Sequence, residues 1–537
     1  FDMHQAEDVG LLKIDILGQR SLTVISDTLA AVRQNHDVAL DFSRAPADDA
    51  PTWRNIQEGR TIGCFQVESP GMRSLLRKLV PRDMETIIAA SSVIRPGPSD
   101  AGMLREFIAR YHGTRPTTYL HPAMEKLLGT TLGIMVYQED ILRVAHAIAG
   151  ISPGEADKLR RAMSSKRSAE AMQAMKATFI AKAEGRGVPA DSAREIWRQM
   201  ESFSGYAFCK AHSSSYAVLS WQAAYLKTHF PAEFFAAVIS NGGGFYSRAA
   251  YVLEARRWGV PVRLPDINRS DYLCTAEGPA VRLGLGLVGK LSRAAADRML
   301  AARGQRLFTS FTDFLHRAAP DRDETEALIR CGAMDGFEFS RPELLWRLEL
   351  LFEPVRRAQA NPAAVGLPFP ELAEPLFPPV ILPRLPDFTP AEKLRQEAEV
   401  LEAFVSDHPL ALHRQELAHL GLDRAADLPR RKNRSVRLAG WPVTSRRVFA
   451  KNRQYMKFLT LEDETDIFEV VLFPAAYRRW GHFTTQPGPF VVEGKVTEEF
   501  NSFVVDARRL MPLRHYGPAA DGAAEAALVL PHPRLSD

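Results

Sequence analysis

Residues 10–18 read GLLKIDILG. Leu11, Leu12, Ile14, Ile16 and Leu17 make an apolar run of strand length. On a strand, side chains alternate between faces, so Lys13 and Asp15 share one face. An acid and a base on a buried strand need a reason, because an unpaired charge there is costly. Two readings fit. Lys13 and Asp15 form an ion pair at a strand end, which is the reading this segment favours by itself. Alternatively, Asp15 holds a metal ion while Lys13 faces a phosphate.

Four further motifs follow in order. They are RSLTVI at Arg20 to Ile25, CFQVES at Cys64 to Ser69, IRPGP at Ile94 to Pro98, and GYAFCKAHSSSYA at Gly205 to Ala217. Several motifs in fixed order are more specific than any one of them. Together they resemble the C-family bacterial DNA polymerases, the DNA polymerase III alpha subunits, from the first residues to about residue 510. In that family GLxKxDxLG carries the third catalytic aspartate of the palm, which implies a metal-binding role for Asp15. The family's PDxDxDF pattern, with its two further aspartates, does not occur here, and its amino-terminal PHP domain has no counterpart. The chain opens on Phe1 rather than Met. The expectation is therefore a carboxy-terminal portion of a longer polymerase, inactive alone, with magnesium as a two-metal cofactor whose other ligands lie outside this chain.

Length and composition agree with a multidomain protein. The chain has 537 residues, 46% of them hydrophobic, which is ample for several cores. No apolar run approaches the ~18 residues of a membrane span. Cys64, Cys209, Cys274 and Cys331 are widely separated and fit no zinc spacing, so free thiols in a cytoplasmic setting are the simplest reading. A net charge of +4 is too small to signal nucleic-acid binding by itself. Any binding face must come from clustered charge.

The expected fold class is multidomain α+β. The resemblance divides it into the carboxy-terminal part of a palm (1–80), mainly helical fingers (81–260), a helix-hairpin-helix region for duplex DNA (261–345), a helical and Pro-rich linker (346–434), an OB-like β-barrel (435–510) and a tail (511–537). Periodicity predicts helices over 23–32, 140–149, 153–163, 169–184 and 217–228, with Pro231 opening another. The runs VRLAGWPV, YMKFLTLED, DIFEVVLF, FVVEGKVT and FVVDARRL alternate in hydrophobicity between turn residues and suggest five strands.

Two turn-centred helix pairs are expected between Val281 and Phe337. Gly284, Gly286 and Gly289 precede one helix, followed by Lys290. Glycines there let backbone amides approach a phosphate. A glycine-rich helix start is more often plain turn chemistry. The family's fuller GxGxxKGVG pattern is altered here to GLGLVGK.

For the triphosphate, the resemblance points to Arg95 in RPGP, to Arg160, Arg161 and Lys166 in LRRAMSSK, and to Lys210 and His212 in CKAHSSSYA. A solvated helix face is the plain alternative for the Arg–Arg–Lys run, and core packing for His212. Tyr206 and Tyr216 either stack on a base pair or pack. On the barrel, Arg446, Arg447, Lys451, Arg453 and Tyr455 supply charge and stacking surface for a single-stranded template.

The implied partners are primer-template DNA, deoxynucleoside triphosphates, and a sliding clamp reached through accessory mutagenesis proteins. GLPF at 366–369 and PLF at 375–377 lack the glutamine of a clamp-binding peptide. MVYQEDIL and GLGLVGKLS look more like the error-prone second class of alpha subunit than the replicative one. The replicative enzyme is the alternative, and a non-catalytic DNA-binding remnant is a third reading. The coding sequence upstream of Phe1 discriminates them.

Overall fold

The structure is a computed structural model that describes residues 3–12, 14, 16, 18–94, 102–164, 169–201, 209–360, 383–450 and 453–516. It is mainly helical up to residue 360, with a small mixed sheet near the middle and a closed barrel after residue 434.

The predicted helices are present, and those expected from 23, 140 and 217 start earlier. Arg20–His36, Gln138–Ala149, Pro153–Ser164, Ala169–Glu184, Lys210–His229 and Pro231–Asn241 are all helical. The long helix Lys210–His229 begins well before the predicted Ala217, so Lys210 and His212 sit in its first turn. Its small residues Ala217, Ser220, Ala223 and Ala224 are buried, letting it lie close against Met84–Val93. The helices Arg20–His36, Lys210–His229 and Pro231–Asn241 share one large core that includes Trp221, Phe234, Phe235, Tyr251 and Phe314. A second core around Phe179 and Trp197 sits among Pro122–Leu128, Gln138–Ala149, Ala169–Glu184 and Ala190–Glu201.

The opening segment departs from its strand reading. Gly10 takes φ +83°, its amide bonds to Glu7 O and that of Leu11 to Ala6 O, closing the helix Met3–Asp8 in a turn. Leu11, Leu12, Ile14 and Ile16 are 65–92% exposed and carry no strand. A strand needs a partner ladder, and among the described residues none pairs with this run.

Strands β1 (Val262–Arg263), β2 (Thr275–Glu277) and β3 (Ala280–Arg282) form the small sheet in the order β1-β3-β2. It leads into the helices Arg293–Gln305, Phe311–Ala318 and Arg322–Arg330. A one-turn 3-10 segment at Leu285–Leu287 lies in the glycine-rich turn that precedes the helix Arg293–Gln305.

The barrel comprises β4 (Ser435–Phe449), β5 (Tyr455–Glu462), β6 (Ile467–Leu472), β7 (Phe490–Glu499) and β8 (Ser502–Pro512). It closes in the order β4-β5-β6-β8-β7, with β6 and β8 parallel and the other pairs antiparallel. β4 serves two neighbours, pairing with β7 over 435–440 and with β5 over 441–449. Gly440 lies at the changeover, where a Cβ would come within 2.8 Å of Leu461 and Phe468 atoms. Leu438, Leu461, Val470, Val492, Val505 and Leu510 fill the interior.

The barrel rests on the helical body. Ser74 Oγ lies 2.8 Å from Ser502 Oγ, the His112 ring stacks on Phe500 at 4.6 Å, and Lys78 pairs with Glu499.

Candidate functional site

A small cleft opens beside the first turns of the Lys210–His229 helix. It is lined on one side by His212, Ser213 and Tyr216 and on the other by Gln66, Val67, Ile87 and Ser91. Two motifs distant in sequence, CFQVES and CKAHSSSYA, therefore meet here. The fastening is polar. Ser220 Oγ donates to Phe65 O at 2.7 Å, and the Ser92 and Ser213 hydroxyls lie 2.7 Å apart. The Phe65 and Tyr216 rings meet at 5.0 Å, and His212 stands edge-on to Tyr216 at 4.2 Å. Gln66 adopts φ +63°, a region that non-glycine residues enter at a cost and that is enriched at functional sites.

Lys210 points elsewhere. Its ammonium sits 3.0 Å from the Glu85 carboxylate and 5.3 Å from the Tyr137 ring centre, while its amide donates to the Glu139 carboxylate. A phosphate approaching Lys210 would have to compete with Glu85. Lys210 and His212 thus share a helix turn but serve different surroundings. Arg160 and Arg161 belong to the helix Pro153–Ser164, whose described cap is a reciprocal Ser152–Glu155 pair; their side chains lie outside the described residues. Lys13, Asp15, Arg95, Lys166, Lys451, Tyr206 and the peptides at 366–369 and 375–377 also lie outside them.

The glycine-rich turn corrects one expectation. The Gly286 amide donates to Tyr272 O and that of Gly289 to Val400 O, both at 2.9 Å, and the Gly284 amide faces Cys274 Sγ. All three amides are already used inside the fold, so they form no open phosphate cradle. A Cβ on Gly284 would come within 2.4 Å of the Tyr272–Leu273 backbone, and one on Gly289 within 2.8 Å of Val400 O. The glycines are there for close backbone packing. Lys290 is exposed at the end of the turn; it takes φ +67°, and its ammonium is 4.0 Å from Asp323.

On the barrel, cross-strand pairing puts Arg447 opposite Lys457 and Phe449 opposite Tyr455. The Phe449 and Tyr455 rings are 4.9 Å apart, and the Arg447 guanidinium lies 5.0 Å from the Tyr455 ring. Both rings are about half exposed. Lys457 is buried and bonds Thr484 Oγ1 at 3.0 Å; burial, with Arg447 nearby, pushes its ammonium below the usual lysine range. Arg446 and Phe458 stand opposite each other on the other face. Arg453, at φ +57°, turns the hairpin. An exposed aromatic pair with a guanidinium beside it can stack bases and hold a phosphate.

Among the described residues no group of three His, Cys, Asp or Glu side chains is placed to hold a metal ion. The described part of the chain therefore does not by itself fit a two-metal centre. No described helix is long and apolar enough to cross a membrane.

Comparison with known proteins places this arrangement. The finger domain of the bacterial DNA polymerase III alpha subunit matches residues 21–187, and a helix-hairpin-helix motif matches residues 259–344. The chain is similar to the DNA polymerase III alpha subunits along most of its length. It is similar to the error-prone DNA polymerase of Symbiobacterium thermophilum, with 34% identity over 95% of this chain and 50% of that protein. It is also similar to the DNA polymerase III subunit alpha of Thermus aquaticus, with 38% identity over 89% of this chain and 40% of that protein. For the same subunit of Aquifex aeolicus the identity is 32%, over 94% and 42%. The chain spans about half the length of the curated relatives it matches. Within the matched finger region lie the cleft residues Gln66, Val67, Ile87 and Ser91; His212 and Tyr216 reach the cleft from beyond it.

What sequence reasoning missed at the cleft are Gln19, which bonds Tyr216, and Gln66, whose left-handed backbone no local pattern announces.

Proposed function

We infer that this chain supplies the fingers, the duplex-binding region and the single-strand-binding barrel of a DNA-directed DNA polymerase. The observation that carries this reading is similarity to proteins named as DNA polymerases along nearly the whole chain. In this reading the polymerase transfers nucleotides to a primer 3′ end under template direction. Arg95, Arg160, Arg161, Lys166, Lys210 and His212 bind the incoming nucleoside triphosphate, guanidinium groups clamping phosphate oxygens in bidentate fashion. Lys290, exposed at the end of the glycine turn, meets duplex phosphates. Arg446, Arg447, Lys451, Arg453 and Tyr455 track the template strand. Asp15 is a metal ligand, with Lys13 beside it; magnesium would stabilise charge that develops during transfer.

Within this reading we place the protein in error-prone, damage-tolerant synthesis, recruited to a sliding clamp through accessory mutagenesis proteins. The motifs MVYQEDIL and GLGLVGKLS and the similarity to error-prone DNA polymerases support it. The replicative alpha subunit is the second reading, favoured by the 38% identity to the Thermus subunit. Gene deletion separates the two. Normal growth with reduced damage-induced mutation supports the error-prone role. Lethality with stalled undamaged replication, in cells that carry another alpha subunit, supports the replicative one.

A further inference from the structure

Gln19 occupies the residue before the helix Arg20–His36, the position where a side chain ordinarily caps the helix amides. It makes no such cap. Its amide reaches across the fold and donates to the Tyr216 hydroxyl at 2.8 Å, 197 residues away in sequence. Tyr216 lines the cleft described above, with the Phe65 ring at 5.0 Å and the His212 ring at 4.2 Å. The ring is thus held by two aromatic neighbours and one directional bond at its tip. Facing it across the cleft is Gln66, in its left-handed backbone. A tyrosine in a cleft gains little from a partner at its hydroxyl except orientation, because the ring already has its packing.

We propose that Gln19 is a positioning residue that sets nucleotide selectivity, by fixing the plane of the Tyr216 ring where it meets the sugar or base of the incoming nucleotide. The proposal rests on the polymerase reading and deepens it. Gln19 directly follows the GLLKIDILG motif, so the same bond ties that motif's end to the fingers helix. A change in the ring's plane alters how well a matched nucleotide is held relative to a mismatched one, whereas duplex binding is made elsewhere on the chain.

The test uses the protein encoded by the complete gene in single-nucleotide incorporation on a primer-template, with Gln19→Met, Tyr216→Phe and the double variant. Each single change removes the same hydrogen bond, so the KM for the matched dNTP should rise roughly three- to tenfold, the worth of one neutral bond. The rise should exceed any fall in kcat, matched-over-mismatched discrimination should fall with it, and primer-template affinity should hold. The double variant should show the same KM as either single one, since there is one bond to lose. Melting temperature separates fastening from positioning. Removing both polar partners leaves neither unsatisfied, so the double variant should regain stability lost by the singles, yet keep the raised KM. If KM and discrimination stay at wild-type values in the single variants, or recover together with the melting temperature in the double variant, the inference is overturned and Gln19 only fastens two helices. A wild-type protein that incorporates no nucleotide overturns the polymerase reading and this inference with it.

Discussion

One guanidinium nitrogen of Arg257 lies 2.7 Å from the Glu462 carboxylate, and this pair joins the helix Arg248–Arg257 to strand β5 of the barrel. Arg257 Nε also reaches Glu254 at 3.1 Å, and Glu254 takes the Lys227 ammonium at 2.8 Å. The Lys227 side chain is 1% exposed and that of Glu462 is 2% exposed. Burial works against charge on Glu254, but the Lys227 and Arg257 cations outweigh it and hold its carboxyl well below the usual range. The ladder runs from the helix that lines the cleft to the barrel.

Breaking such a ladder at one end leaves a buried charge uncompensated. Glu462→Gln should therefore cost about 3–5 kcal/mol. Urea denaturation followed by two probes, one in the barrel and one in the helical body, checks it. The variant should lose coincidence of the two transitions as the barrel uncouples. A loss under about 1 kcal/mol, with coincident transitions, would return the pair to the small worth of a surface contact.

His408 makes stability depend on pH. Its ring is buried, its Nδ1 accepts the Leu410 amide, and burial, helped by Arg257 and Arg256, pushes its pKa down to about 3. The folded state keeps the ring neutral where the unfolded chain, near the ordinary 6.5, takes up a proton. This contribution is complete above pH 6.5 and is lost as pH falls toward 3, at up to about 1.4 kcal/mol per pH unit. Between pH 6.5 and 5, before most carboxylates titrate, His408→Asn should flatten the slope of unfolding free energy; its side-chain oxygen can still accept the Leu410 amide. Equal slopes for variant and wild type would remove His408 from the account.

Gly284→Ala tests whether the glycine-rich turn packs or binds. The added methyl would meet the Tyr272–Leu273 backbone, and overpacking of this kind costs about 1–3 kcal/mol. Thermal unfolding should register that loss, while duplex affinity of the folded fraction stays near wild type. Unchanged stability with weakened duplex binding would restore the phosphate-cradle reading.

Tyr455→Ala on the barrel should weaken single-stranded DNA binding by about 1–3 kcal/mol, the worth of a stacked base. Fluorescence anisotropy with a labelled oligonucleotide measures it. Duplex affinity should change far less. Equal loss on single and double strands would assign Tyr455 to general folding of the hairpin.

Much of this was legible in the sequence, for physical reasons that can be named. The barrel strands alternate with period two against a dry interior, so Leu459 and Leu461 in β5 announced themselves. The GLLKIDILG run shows why such patterns have limits: an apolar run fixes strand length but not whether a partner strand exists, and Leu12 and Ile16 are exposed. The early start of the Lys210–His229 helix was hidden because Lys210 to Ser215 has no apolar periodicity. Gly284 and Gly289 looked like a cradle because a sequence lists glycines without saying which carbonyl takes their amides. Pairs such as Gln19–Tyr216 and Arg257–Glu462, 197 and 205 residues apart, are created by the fold alone.

The most direct test of the polymerase reading is primer extension by the protein encoded by the complete gene, wild type against Asp15→Asn, with magnesium and all four deoxynucleoside triphosphates. Loss of a metal carboxylate removes stabilisation of the charge that develops in transfer. The account predicts template-directed extension by the wild type and loss of most of the rate in Asp15→Asn, with primer-template binding retained. Extension by a folded Asp15→Asn protein at the wild-type rate, or no extension by the wild type at all, would contradict it.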